Sequence, residues 1–349
     1  MPKFPALMIA LGLLLFTSGC GAPAPAKVSP EMPAALLAWP RPPAEPRIHY
    51  VRSVAGPNEW GIEKSFFRRM MDTLVGRGEE HFIRPTGVAE RDGVLYVADP
   101  GAQALWILDA AQNQFVKVDQ VREEALGSPV AVAVRPDGAV FVADTLLRKV
   151  FLLDRAGKLI RIAAEEGLAR PAGLAYDAAA QRLYVVDSAN HRIAVYGADG
   201  TLLRTWGQGG IQDGEFNHPT HIALDRTGTL LVTDALNFRI QAFDREGRFL
   251  WKLGRPGDGS GDLAAPKGLA ADSEGHVYVV DALFDAVQIF ERDGTLLLAF
   301  GERGTRAGQF WLPGGLFTTP QNQIFVADAY NQRVQVFVFG TDAGKEADK

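Results

Sequence analysis

The segment Pro219–Gly247, PTHIALDRTGTLLVTDALNFRIQAFDREG, holds three short strands joined by two tight turns. Ile222 and Leu224, then Leu230 and Val232, recur at period two. Asp225–Gly228 and Asp234–Asn237 break the runs, and Ile240 and Ala242 resume them. Such a meander has a face to bury and nothing within itself to bury it against, so its stability depends on further copies in the chain.

Five more copies are present. The proline that opens the first strand recurs as Pro85, Pro129, Pro171, Pro219, Pro266 and Pro313, at intervals of 44, 42, 48, 47 and 47 residues. The aspartate that closes the second strand keeps step as Asp99, Asp144, Asp187, Asp234, Asp281 and Asp328, at 45, 43, 47, 47 and 47. Two markers in one register, with several strands per period of forty-odd residues, define a propeller. Three copies extend the match: DSANHRIAVY from Asp187, DALNFRIQAF from Asp234 and DAYNQRVQVF from Asp328. The pattern Pro-x-Gly, strand, Asp-x-x-Gly, strand ending in Asp, then Asn-x-Arg and a third strand resembles the NHL repeat over Pro85 to Phe339. That resemblance implies an all-β, six-bladed β-propeller. WGQGGIQDGEFNHP from Trp206 and FGERGTRAGQFWLP from Phe300 resemble the family's connection into the next blade. Blades one, two and five depart from the pattern, with Ala102, Leu147 and Phe284 at the Asn position and Ala104, Lys149 and Ala286 at the Arg position.

The last copy supplies only three strands before the charged tail, residues 340–349. An orphan strand-like run, RIHYVRSVAG from Arg47, matches the outer strand TLLRTWG from Thr201 and is expected to complete blade six, removing an open sheet edge. Ile62, Phe66, Phe67, Met70, Met71, Leu74 and Val75 keep to one helical face ahead of Gly76, which predicts one short amphipathic helix before blade one.

The propeller is thus expected over 47–339, and what precedes it reads as targeting and tether. Lys3, the apolar run Ala6–Phe16, itself too short to span a bilayer, and Thr17-Ser18-Gly19 ahead of Cys20 form a signal segment, residues 1–19. Cys20 is the only cysteine, which excludes an intrachain disulfide. Its position resembles the lipobox of bacterial lipoproteins, although Thr17 stands where that family has Leu. The resemblance implies cleavage before Cys20, its acylation, and an extracytoplasmic protein anchored in a cell or outer membrane. Residues 20–46 are Pro-rich and read as a stiff linker, in which the apolar piece Ala34–Trp39 is a candidate to dock on the domain or on lipid.

With 349 residues, 47% of them hydrophobic and 22% charged, the chain has the composition of a soluble globular protein with a sizeable core, and 37 Gly with 21 Pro agree with many turns. A net charge of -5 argues against a nucleic-acid partner.

Function must come from the mouth formed by the loops that open the first strands and join the second to the third. After the opening prolines stand Thr86, Val130, Ala172, Thr220, Lys267 and Gly314, then Gly87, Ala131, Gly173, His221, Gly268 and Gly315. His221 replaces a small residue and has His218 three positions before it, so His218, Thr220, His221 and Lys267 are the candidate channel-mouth residues. The peptide-amidating lyase, a relative of the repeat family that this chain resembles, has a zinc held by histidines directly after such prolines, but no blade here has His there. His218 and His221 offer two ligands from one blade where a catalytic zinc needs about three. Gluconolactonase and regucalcin propellers are similar overall and hold a divalent cation on a Glu, an Asn and an Asp. The six recurrent aspartates invite that comparison, yet they occur in every blade, degraded ones included, which fits a turn or a pairing with the following Arg. No metal, cofactor or catalytic residue is therefore assigned.

What sets the mouth apart is apolar bulk in its turns. Leu146 and Leu147 of blade two join Leu236, Phe238, Leu283, Phe284 and Tyr330 of blades four to six, with Arg148, His191, Arg239 and Arg333 placed to rim them. The expected function is a binding or scaffold module for an envelope protein or peptide. The alternative is a hydrolase or lyase, lactonase-like or amidating-lyase-like, with a channel cation and His218, His221 and Lys267 nearest the reaction.

Overall fold

The structure, a computed structural model, describes residues 37–41, 43–63 and 80–340. Cys20, the signal segment, most of the linker, the tail beyond Gly340 and all of the expected helix except Ile62 and Glu63 lie outside the described residues.

The six repeats form six antiparallel sheets arranged as blades. In blade four, Pro219–Leu224 is innermost, followed outward by Leu230–Asp234, Arg239–Phe243 and Phe249–Leu253, with Leu224 opposite Leu230 and Asp234 opposite Arg239. The first turn is set by Asp225, whose Oδ1 accepts the Thr227 and Thr229 N–H groups at 2.8 Å, and by Gly228 at φ +88°, where a side chain would be strained. The second strand is buried on both faces, because neighbouring blades cover both sides of each sheet.

Six hydrophobic clusters fill the described body, each drawn mainly from two neighbouring blades. Leu231, Ile240, Leu269 and Val279 join blades four and five, and Val97, Trp106, Phe325 and Val334 join six and one. The inner strands touch in turn around the ring, with the last, Leu316–Thr318, against the first, Gly87–Arg91.

Blade six is completed from the far end of the chain. Ile48–Val54 pairs antiparallel with Arg333–Phe339, placing Ile48 opposite Phe339 and Val54 opposite Val334. Ala38–Trp39 then adds a fifth strand outside it, so the folded body takes in residues ahead of Arg47. Trp39 holds that strand down, its ring 5.8 Å from Phe300 and 5.9 Å from Phe337. Trp60 and Ile62 are buried with Phe82 over the interface between blades six and one.

Candidate functional site

The mouth is built on the recurrent aspartates. All six have no exposed surface. In blade four Asp234 Oδ1 accepts the N–H of Asn217, two residues before Pro219, at 2.6 Å. Asp99, Asp144, Asp187, Asp281 and Asp328 accept equivalent amides ahead of their own prolines. Each carboxylate therefore fixes the loop that leads into its blade and is consumed in doing so.

The Asn and Arg that follow finish the same network. Asn237 Nδ2 and Arg239 Nε donate to Asp234 Oδ2 at 2.9 and 2.7 Å, and Arg239 Nη2 donates to the Gln212 and Glu215 carbonyls of the connecting loop. Asn331 and Arg333 repeat this on Asp328 and on the Arg306 and Gln309 carbonyls. Arg239 is only 7% exposed. The two arginines expected at the rim are thus turned into their blades, where they tie the connecting loop to the sheet. The degraded blades find substitutes: Lys149 pairs with Glu124 at 2.8 Å, and Arg255 pairs with Asp262 at 2.5 Å inside the loop that leads into blade five.

Each turn passes through one left-handed residue: Gln103, Arg148, His191, Phe238, Asp285 or Gln332, at φ between 49° and 57°. None is glycine, so each blade absorbs the backbone cost of a non-glycine left-handed residue through the surrounding network. The preceding residues are pushed outward. Leu146 is 68% exposed, Leu236 53%, Leu283 66% and Tyr330 51%. Phe238 and Phe284 are half-buried, Phe238 against the cluster between blades four and five, and Arg148 is exposed. Three further apolar side chains emerge on this face from the connecting loops: Ile211, Leu312 and Trp311, whose ring lies 5.7 Å from Tyr330. The sequence carried a signal for two of them, since Trp311 and Leu312 precede Pro313 where blade five has Ala264 and Ala265.

At the mouth itself, His218 is left-handed at φ 54° and donates its N–H to His191 Nδ1 at 3.2 Å, and the two rings meet edge to face at 5.6 Å. His221 Nδ1 lies 3.1 Å from Thr220 Oγ1. The small residues at the equivalent position are explained by neighbouring inner strands: a Cβ on Gly173 would stand 2.7 Å from the Thr220 carbonyl and 2.9 Å from His221 Cα. Burial, with the Lys267 charge added, lowers the His221 imidazole to about 3 and keeps it neutral. Lys267 is lowered by burial and by the charge of Arg170, and its carbonyl accepts the Thr233 hydroxyl at 2.7 Å. Among the described residues, no three His, Cys, Asp or Glu side chains are grouped to hold a metal ion. A groove of about 540 Å³ lined by Val121, Arg122, Phe151, Leu159 and Ile162 runs along the outer part of blade two and contains none of these residues.

The NHL repeat family matches residues 168–196 and 310–337, within blades three and six. The six sheets in a ring make the chain a six-bladed β-propeller, and two of its blades carry matched NHL repeats. A gluconolactonase of Zymomonas mobilis subsp. mobilis is 31% identical over 196 residues, 44% of this chain and 54% of the relative, so the match spans about half of that enzyme. Among solved structures, a Bacteroides thetaiotaomicron protein of unknown function superposes with a TM-score of 0.61 at 16% identity, over 75% of this chain and 71% of its own. A streptogramin B lyase does so with 0.58 at 14%, over 74% and 94%. At these identities the structural matches show the shared fold.

Proposed function

We propose that this propeller is a binding module of the cell envelope that captures a protein or peptide on its loop face and is held at the membrane by a lipid on Cys20. The observation that carries this reading is the exposed apolar set on one face: Leu146, Leu236, Leu283, Tyr330, Trp311 and Ile211, each 39% exposed or more. A solvated turn has no use for such side chains, and exposed apolar side chains with polar surroundings are the usual composition of an interface. Arg148 supplies the polar edge, whereas Arg239 and Arg333 serve the scaffold. The hydrolase or lyase reading has distant relatives by name and no group of ligating side chains among the described residues to favour it.

The test is capture from solubilised envelopes with the wild-type protein and with Leu236→Ser, Leu283→Ser and Tyr330→Ser combined. Loss of the captured proteins with unchanged thermal unfolding supports the reading, and an unchanged set overturns it. For the anchor, Cys20→Ser is expected to move the protein from the membrane to the soluble fraction, and retention on the membrane refutes lipidation.

A further inference from the structure

Around the opening prolines the chain reverses the sign of its overall charge. The residue before each proline and the two after it give eighteen positions, which hold Arg84, Arg170, Lys267, His218 and His221 and not one Asp or Glu, in a protein of net charge -5. The aspartates nearest these positions are spent on backbone amides and have no exposed surface. The cations that open the third strands are paired: Lys149 with Glu124, Arg192 with Asp187, Arg239 with Asp234 and Arg333 with Asp328. Among the described residues, the side chains of Lys267 and Arg170 make no ion pair or hydrogen bond.

Three consecutive blades bring this group together. Arg170 opens blade three, its N–H fixed by Asp187 at 2.9 Å. Thr220 and His221 lie on the inner strand of blade four, whose backbone passes directly over Gly173 of blade three. Lys267 lies on the inner strand of blade five, held through its carbonyl by Thr233 of blade four. The Arg170 and Lys267 charges repel each other, as do those of Lys267 and a protonated His221. In the tautomer that accepts the Thr220 hydroxyl at Nδ1, the ring hydrogen of His221 sits on Nε2 as a further donor. Like charges gathered at the mouth with no carboxylate paired to their side chains destabilise the empty protein and favour an anion that bridges them.

We infer that the channel mouth is an oxyanion-binding site in which Lys267 and Arg170 bind a carboxylate or phosphate group, with His221 and Thr220 as neutral hydrogen-bonding partners. The site is independent of the apolar patch, and the Leu236, Leu283 and Tyr330 substitutions are expected to leave it intact.

The probes are inorganic phosphate and succinate, titrated calorimetrically into the purified protein at constant ionic strength against sodium chloride. Saturable binding of either is expected. It weakens about tenfold or more in Lys267→Met and in Arg170→Gln, since each removes one charge-assisted contact, and is unchanged in Arg248→Gln on an exposed hairpin. Tighter binding of phosphate points to a phosphorylated ligand, and tighter binding of succinate to a carboxylate ligand. A second readout is the His221 ring followed by proton NMR, which is expected to titrate at higher pH when phosphate is bound. Arg170 is exposed, so Arg170→Gln remains informative if Lys267→Met fails to fold. Absence of saturable binding of both probes, or equal binding in all the variants, overturns the inference.

Discussion

Closure of the ring by Ile48–Val54 makes a prediction whose size follows from where each side chain points. Ile48 and Val54 have no exposed surface, whereas Val51 between them is 48% exposed. Ile48 packs with Tyr278, Phe300 and Phe337 between blades five and six, and Val54 packs with Phe82, Trp106 and Val334 between six and one. Six residues of strand separate the two by about 20 Å, so their effects should add. Ile48→Ala removes buried methyl groups and leaves a cavity, costing about 2–5 kcal/mol. Val54→Ala removes less, about 1–3 kcal/mol. The double variant should then lose about 3–8 kcal/mol of a total of about 5–15. Val51→Ala is the internal control and should stay within about 0.5 kcal/mol. Urea unfolding followed by tryptophan fluorescence measures all four proteins. If Ile48→Ala and Val51→Ala unfold at the same urea concentration, the strand does not close the ring.

Further predictions follow from the loop network and the mouth. Arg239→Met leaves the buried Asp234 carboxylate without its cation and should cost about 3–5 kcal/mol in the same assay, while Arg248→Met, at an exposed ion pair, should leave the unfolding midpoint nearly unchanged. Gly173→Ala drives a methyl group into the Thr220 carbonyl and should cost about 1–3 kcal/mol, with movement of the His221 resonances as its local signature. His221 titrates near 3 when folded and near 6.5 when unfolded, so between these values the unfolded chain binds more protons. Its contribution is present above pH 6.5 and is lost as pH falls, by an amount on the order of a few kcal/mol. His221→Asn should flatten this part of the pH profile of unfolding free energy, and an unchanged profile refutes the half-buried neutral imidazole.

Most of the fold was legible because a propeller repeats itself: Pro219 and Asp234 mark the ends of two paired strands, and their five counterparts mark the same points in every other blade. The missing strand of blade six was legible from RIHYVRSVAG because its pattern matches other outer strands. Ala38–Trp39 was only a candidate to dock, since its pairing depends on where the Trp39 ring lands, on Phe300 and Phe337 more than two hundred residues away. The directions of Arg239 and Arg333 were hidden for a related reason. An arginine one step past a left-handed turn residue can face solvent or the blade, and the choice is made by carbonyls of a loop more than twenty residues earlier. Leu236, Leu283 and Tyr330 were found because bulk in a turn is visible in sequence. The unpaired state of Lys267 and Arg170 was not, because it depends on every nearby carboxylate having been used by backbone amides.

Photo-crosslinking in intact cells separates a loop-face binder from a propeller that uses another surface. A photoreactive residue in place of Leu283, 66% exposed on the loop face, should yield a discrete crosslinked adduct with an envelope protein. The same residue in place of Leu203, 53% exposed on the outer strand of blade three, should yield none. An adduct from Leu203 and not from Leu283 would contradict the assignment of the loop face as the binding surface.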